Sequence, residues 1–515
     1  MIVASSRNRG KTDVLVDLAR ELGRFVERTV REGGTLDECE RGVWERLLEI
    51  GHAAADWFLK AQGDGDLGQS ILTEEGTMLQ RSDTVVTRSL RTVFGEHAFK
   101  AYVYSQGAHR KIELRPIDAR INLPEGKASY LLQEFSQLFC VEKAFGVGAW
   151  QFDTVFGQRL SVDVLEHTNR DMGDQADRFL DQLSPPPRAE EGEVLVATND
   201  NKGVPLVRED ARQVPVFEEK ERPGNRRMAS LGCVYTVDRH VRTPEQIVAA
   251  LFRDSTMSGP REDSKDRPKP CAKRYRGYFA DPGHQGKDAV PSAYRTWAWL
   301  AQEVQARRQS GQPVVRLMDG QPILWDAADA CLEDFVEELR ATRQEHLLID
   351  ILDIIHVSGY VWRAAKALHT HKEHQEAFAY ERLLRILRGD VRGVVRGLRR
   401  MASERGLTGT ACKEIHTVCN YFMSNAHRMR YDEYLQAGYP IATGVIEGAC
   451  RHVIKDRMEQ GGMRWTLAGA EAMLHVRAVC ASSEWETFGR WRQDQEAQRL
   501  HAHRTLVENY EGFSV

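Results

Sequence analysis

Residues 313–320 read PVVRLMDG, a short apolar run that ends on an acid and a glycine. That is the pattern of a strand buried in a sheet and released into a turn. Before it, SAYRTWAWLAQEVQARR (292–308) carries apolar residues at helical spacing; after it, ILWDAADACLEDFVEELRA (323–341) does the same. HLLIDILD (346–353) is then a second apolar strand, ending in Asp353. Strands joined through a helix pair in parallel and are buried on both faces. Upstream, EVLVATND (193–200) reads as a strand ending in Asp200, with further strands expected at VPVFEEKER (214–222) and LGCVYTVDRH (231–240).

The expected order is therefore three strands, a helix, a strand, a helix, a strand and a helix. This is the ribonuclease-H-like order, in which the first and fourth strands are neighbours and the fifth lies beside the fourth. Ligands and metals gather at the carboxyl ends of such strands, which would bring Asp200 and Asp319 side by side, with Asp353 one strand over. Phosphoryl transfer with two hard divalent ions needs two or three carboxylates on one small patch. A strand-terminal aspartate taken alone is more often a loop cap; in this element order the pair points to a metal centre. A third carboxylate is expected from a helix on the same sheet edge. GVIEGACRHVIKDRM (444–458) offers Glu447 in its first turn. Glu447 and Arg451 could equally be an ordinary i, i+4 surface pair, but the stripe continues to Lys455, as metal and phosphate contacts in register would. Asp353 and His356 join a strand end to a helix start; no other His or Cys has the spacing of a zinc site, and a lone His there is more often a satisfied structural group, though His356 could instead bond a scissile phosphate or help place a flipped base.

The remaining chain divides by composition. Residues 1–125 read as helices with a small β segment, strand-like between 84 and 115. Residues 126–183 have the outline of a helix-turn-helix, with a turn at Gly157 and a second helix from Ser161. SPPPRAEEGE (184–193) is a linker. Residues 194–485 are expected to form the catalytic unit, and 486–515 a helical tail; the resemblance described below implies that the helices at about 366–438 are an insertion in that unit. Residues 255–290, rich in Gly, Pro and charge, read as an insertion or long loop.

The 515 residues exceed what one core usually organises. No apolar run is long enough to span a bilayer, and the polar, basic N-terminus lacks an apolar signal segment, so a cytosolic protein is expected. Nine scattered cysteines with no Cys-x-x-Cys pair suggest reduced thiols rather than disulfides or a zinc ribbon. The net charge of −4 hides two basic stretches. One, ERLLRILRGDVRGVVRGLRRMASERG (381–406), includes Arg396, Arg399 and Arg400; the other is DRPKPCAKRYRGYF (266–279). Charge alone favours a solvated helix face for the first and a polar loop for the second.

From about Glu193 to Glu484 the chain resembles bacterial insertion-sequence transposases of the ISKra group, relatives of the Mutator-like DDE superfamily. The main match is SNAHRMRYDEYLQAGYPIATGVIEGACRHVIKDRMEQGGMRW (424–465), supported by TNDNKGVPL (198–206), LMDG (317–320) and LDIIHV (352–357). The resemblance implies that Asp200, Asp319 and Glu447 are the catalytic acids holding Mg²⁺ or Mn²⁺, with Asp353 and His356 as the family's Cys/Asp-x-x-His signature. It implies contact with the transposon end by Arg464 and Trp465. It further implies an enzyme that binds terminal inverted repeats as at least a dimer, cleaves and transfers DNA strands, and works at the bacterial nucleoid. A domesticated DNA-binding regulator and a structure-specific nuclease of the same fold are the alternatives. Asn201 stands where the family usually has glycine, which puts most doubt on Asp200; Asp238 is the fallback. The segment SQGAHRKIEL (105–114) lacks the paired cysteines of related proteins, so no zinc knuckle is expected there.

Overall fold

The computed structural model describes residues 11–107, 110–217, 224–252, 267–283 and 288–511. The protein is a mixed α/β structure with a helical majority and divides into two compact units. One comprises residues 1–168 with 486–515, the other residues 169–485. The C-terminal tail therefore belongs to the unit built from the N-terminal segment, a grouping that chain order conceals.

In the first unit, helices Lys11–Arg31 and Leu36–Lys60 precede a four-stranded sheet and a separate hairpin, Val86–Thr92 with Gly95–Ala101. Thr35 starts the second helix with a reciprocal capping box to Glu38, which satisfies two backbone donors that the helix itself leaves open. Helix Phe145–Phe156 ends at Gly157, whose φ of 63° is left-handed, a conformation in which glycine carries no steric penalty. Helix Val162–Gln182 follows. The described geometry around Gly157 is thus helix, tight turn, helix.

The second unit is organised on a five-stranded sheet: β1 (Val194–Pro205), β2 (Arg226–Val237), β3 (Cys271–Tyr278), β4 (Val314–Met318) and β5 (Leu348–Leu352), in spatial order β5-β4-β1-β2-β3. β1, β2 and β3 pair antiparallel, while β4 pairs in parallel with both β1 and β5. The central strands are largely buried, and the one charge inside β4, Arg316, is paired with Asp350 of β5 at 2.7 Å and with Asp329 at 2.6 Å. Helix Ser292–Arg307 covers one face, packing Trp297, Leu300 and Val304 with Leu195, Val234 and Val314. Helix Leu467–Ala481 lies against β3. Four helices, Lys372–Leu387, Val391–Glu404, Gly409–Ser424 and Tyr431–Gln436, fill the interval between the helix after β5 and the helix of Glu447.

Three expectations need correction. Val214–Phe217 forms no strand, and the rest of VPVFEEKER lies outside the described residues. The third antiparallel strand comes instead from Cys271–Tyr278, inside the stretch expected to be a loop. Its arginines are not solvated: Arg276 is 1% exposed and pairs with Asp177 at 2.5 Å and Asp181 at 2.6 Å, while Arg274 faces Glu303 at 3.3 Å. Buried partners turned a polar-looking segment into a strand, a tertiary effect that composition cannot report. Finally, β1 does not end at Asp200. Its pairing with β4 stops at Ala197, but its pairing with β2 runs on to Pro205, because β2 continues to satisfy its backbone groups beyond the end of β4.

Candidate active site

The acids meet beyond the carboxyl end of β4. Asp319 is the first residue after that strand. Its Oδ1 accepts from the Gln321 N–H at 2.9 Å, and its carbonyl accepts from the Trp325 indole at 2.6 Å, so both carboxylate and backbone are held. Asp200 sits on the antiparallel extension of β1, opposite Leu231, with Oδ1 accepting from the Asn201 N–H at 2.7 Å.

Asp353, fully buried, caps helix Ile354–Leu368. Oδ1 accepts from the N–H of Ile355 (3.1 Å) and Thr443 (3.0 Å), and Oδ2 from the N–H of His356 (3.2 Å). The same Oδ2 lies 2.8 Å from His356 Nδ1. This fixes the imidazole so that Nε2 stands 3.8 Å from Asp319 Oδ2. Glu447 arrives from helix Gly444–Ala449, which packs on β1 and β2, and its Oε1 is 3.8 Å from His356 Nδ1. Glu447 thus turns towards His356, while Arg451 faces Asp456 at 3.8 Å. The chain forms a π-helical turn over Cys450–Lys455, which breaks the straight i, i+4 stripe expected from Glu447 to Lys455.

Electrostatics follow from this crowding. Burial, then the charges of Asp200 and Asp353, push the Asp319 carboxyl up to about 6 against the pull of His356 and the Gln321 amide. Burial raises Asp200 and Glu447 as well. His356 is pushed up to about 9, chiefly by its hydrogen bond to Asp353. One imidazolium thus faces more carboxylate charge than it can balance. Among the described residues, one ligand atom each of Asp353, His356 and Glu447 lie within 4.8 Å of one another; Asp319 adjoins this group through His356, and Asp200 lies outside it, within range of the His356 charge.

Of the cations expected at DNA, Arg451, Lys455 and Arg464 are exposed near this helix, and Arg396, Arg399 and Arg400 are exposed on helix Val391–Glu404. Trp465 is placed differently: it is 6% exposed, donates its indole N–H to the Met458 carbonyl at 3.2 Å and lies under the Arg457 guanidinium. Its backbone bridges to the β1 extension at Leu206, so it braces the hairpin that carries Asp200. Asp238 accepts from the Glu193 N–H at 3.3 Å, at the start of β1 rather than near Asp200. Two neighbours escaped the sequence reading of the site. Thr443 donates its N–H to Asp353, and the Cys450 Sγ stands 4.0 Å from the Asp200 carbonyl oxygen. Cys450 was discoverable, since it lies three residues after Glu447 and shares its helix face.

No family model matches this chain, and no curated protein matches it. Among solved structures it is similar to one described as the Drosophila P element transposase strand transfer complex, at 10% identity and a TM-score of 0.20, over 73% of this chain and 92% of that one. A likeness of that degree carries no argument for this chain.

Proposed function

We propose that the chain is a metal-dependent DNA transposase of the DDE type, related to the ISKra group, with a ribonuclease-H-like core. The observation that carries the reading is the meeting of Asp200, Asp319, Asp353 and Glu447 around His356, from two parallel-paired strands, a strand–helix turn and a helix packed on the first strand. The strand order β5-β4-β1-β2-β3 supports it.

The donor set fits a hard divalent ion. Asp200, Asp319 and Glu447 supply oxygens, and burial raises the ionisation of all three against the pull of His356 and, at Asp200, of Lys202. Asp353 is committed to backbone caps and to His356, so it serves as a positioning residue rather than a ligand. When bound, Mg²⁺ or Mn²⁺ activates the attacking oxygen and stabilises the leaving one. The protein's own part is positioning. The Gln321 amide and Trp325 indole hold Asp319, and the Asp353 carboxylate orients His356 so that Nε2 can donate to a phosphate oxygen. Arg451, Lys455 and Arg464 supply exposed positive charge for DNA phosphates. Strand cleavage by water and strand transfer by a 3′-hydroxyl make the same demands, so one site serves both. Two DNA ends joined in one assembly require at least two copies of the chain.

The test is cleavage of labelled candidate terminal repeats by the purified full chain with Mg²⁺ or Mn²⁺. Glu447→Gln is expected to abolish cleavage and leave DNA binding intact. Full cleavage by that variant would remove Glu447 from the site.

A further inference from the structure

The helical stretch between His356 and Glu447 supplies a side chain that touches the turn after Asp319 and the helix that Asp353 caps. Tyr421 lies on helix Gly409–Ser424. Its ring fills the space in front of Gly320, the residue after Asp319. A Cβ at Gly320 would stand 2.7 Å from the Tyr421 hydroxyl oxygen and 2.8 Å from Cζ, closer than carbon atoms tolerate. The same ring stacks on Tyr360, with centroids 3.7 Å apart and planes 8° from parallel. Tyr360 stands one turn after His356 on helix Ile354–Leu368, and the Arg363–Glu414 ion pair ties the same two helices together. One ring is therefore wedged between the turn of Asp319 and the helix of Asp353 and His356. Besides burial, the charges of Asp319 and Asp353 both raise the ionisation of the Tyr421 phenol, as nearness to both demands. The hydroxyl is buried beside the Gly320 amide without a well-formed hydrogen bond, so what Tyr421 chiefly contributes is the shape of its ring.

We propose that Tyr421 is a positioning residue of the metal centre, its ring bracing the Asp319–Gly320 turn, so that the helical insertion is a working part of the site. This rests on Asp319 being a metal ligand. Glycine gives the backbone after Asp319 more freedom than any other residue would. A carboxylate ligand for an octahedral ion has to be held to a fraction of an ångström. The ring removes that freedom, and the missing Cβ makes room for the ring.

The experiment is calorimetric titration of the full chain with Mn²⁺, without DNA, with thermal melting of each variant in EDTA as the fold check. Tyr421→Ala is expected to weaken Mn²⁺ binding about tenfold or more, the usual scale for removing a group that orients a ligand. Tyr421→Leu, which keeps an apolar filling but no flat ring, is expected to show the same loss should Tyr421→Ala melt too early to titrate. Tyr421→Phe keeps the ring and restores wild-type affinity. Gly320→Ala also weakens binding, because its methyl meets the ring; combined with Tyr421→Ala it adds no further loss, since the clash is gone. Unchanged affinity in the folded Tyr421→Ala or Tyr421→Leu variant overturns the proposal, as does a Tyr421→Phe variant as weak as Tyr421→Ala. Asp319→Asn separates this from the proposed function. Mn²⁺ binding indifferent to Asp319 sinks the metal centre itself, whereas binding that needs Asp319 but ignores Tyr421 sinks only the brace.

Discussion

The two ends of the five-stranded sheet are both rich in buried acids, and they treat them in opposite ways. At the end where β1 begins, Glu191 pairs with Arg307 at 2.8 Å, and Glu303 lies between Arg307 and Arg274 at 3.7 and 3.3 Å. Each carboxylate there has a guanidinium. At the other end, Asp319, Asp353 and Glu447 share a single histidine, and Asp200 has only the more distant charges of that histidine and of Lys202. Arginine neutralises an acid permanently and occupies its oxygens; histidine balances one charge and yields it with its proton. The first arrangement is finished architecture, and the second is a site short of positive charge. Acid count is equal testimony at both ends; only the partners distinguish structure from chemistry.

That contrast can be broken by substitution. The largest effect belongs to the charge-poor end: Glu447→Gln should lower the rate of metal-dependent cleavage by about 10³-fold or more, the scale of losing a ligand of a catalytic ion. A gel assay at saturating DNA reads it, and a loss of less than tenfold would count against the site. At the charge-balanced end, Arg307→Met should destabilise the fold by about 3–5 kcal/mol, because it strands buried Glu191 and leaves Glu303 with Arg274 alone. Urea melting measures this, and a change under 1 kcal/mol would mean that water reaches those carboxylates.

Asp319→Asn should do the reverse and stabilise the metal-free chain at pH 7 by about 1–2 kcal/mol, since it removes unbalanced charge. The sign follows from the upward shift to about 6. Stability from a protonated Asp319 is fully present below about pH 4 and is lost as pH rises through 6. Wild-type protein in EDTA should therefore lose stability across that window, and Asp319→Asn should lose less. The raised His356 acts in the same direction at higher pH, its contribution fading as pH rises through about 9. Saturating Mg²⁺ should cancel the Asp319 penalty; equal stability with Mg²⁺ and EDTA at pH 7 would speak against an ion at Asp319. The smallest effect is on helix Val391–Glu404. Replacing Arg396, Arg399 and Arg400 by Gln should leave the melting temperature nearly unchanged and flatten the salt dependence of DNA binding by up to about three phosphate contacts. An unaltered slope would assign that face to solvent.

How much of this was legible before folding depends on what each residue rests on. β4, β5 and the intervening helices could be read from PVVRLMDG and HLLIDILD, because strands buried on both faces are mostly apolar, and the one charge inside each, Arg316 and Asp350, pairs with the other. Asp319 and Asp353 followed, since an acid closing such a strand has nowhere to lie but the turn. β3 could not be read: CAKRYRGY carries arginines whose partners, Asp177, Asp181 and Glu303, are 29 to 99 residues away in sequence. The burial of Trp465 was equally hidden, because its acceptor and its β-bridge come from separate segments.

The amino-acid sequence by itself determined the parallel half of the sheet, the local caps and the residues able to carry metal chemistry, because these depend on periodicity and on neighbours a turn away. The tertiary structure decided which acids are neutralised and which are left charged, and it placed Tyr421 against Gly320 across 101 residues of chain. Charge balance and close contact depend on what the fold brings within a few ångströms, and no local pattern records that.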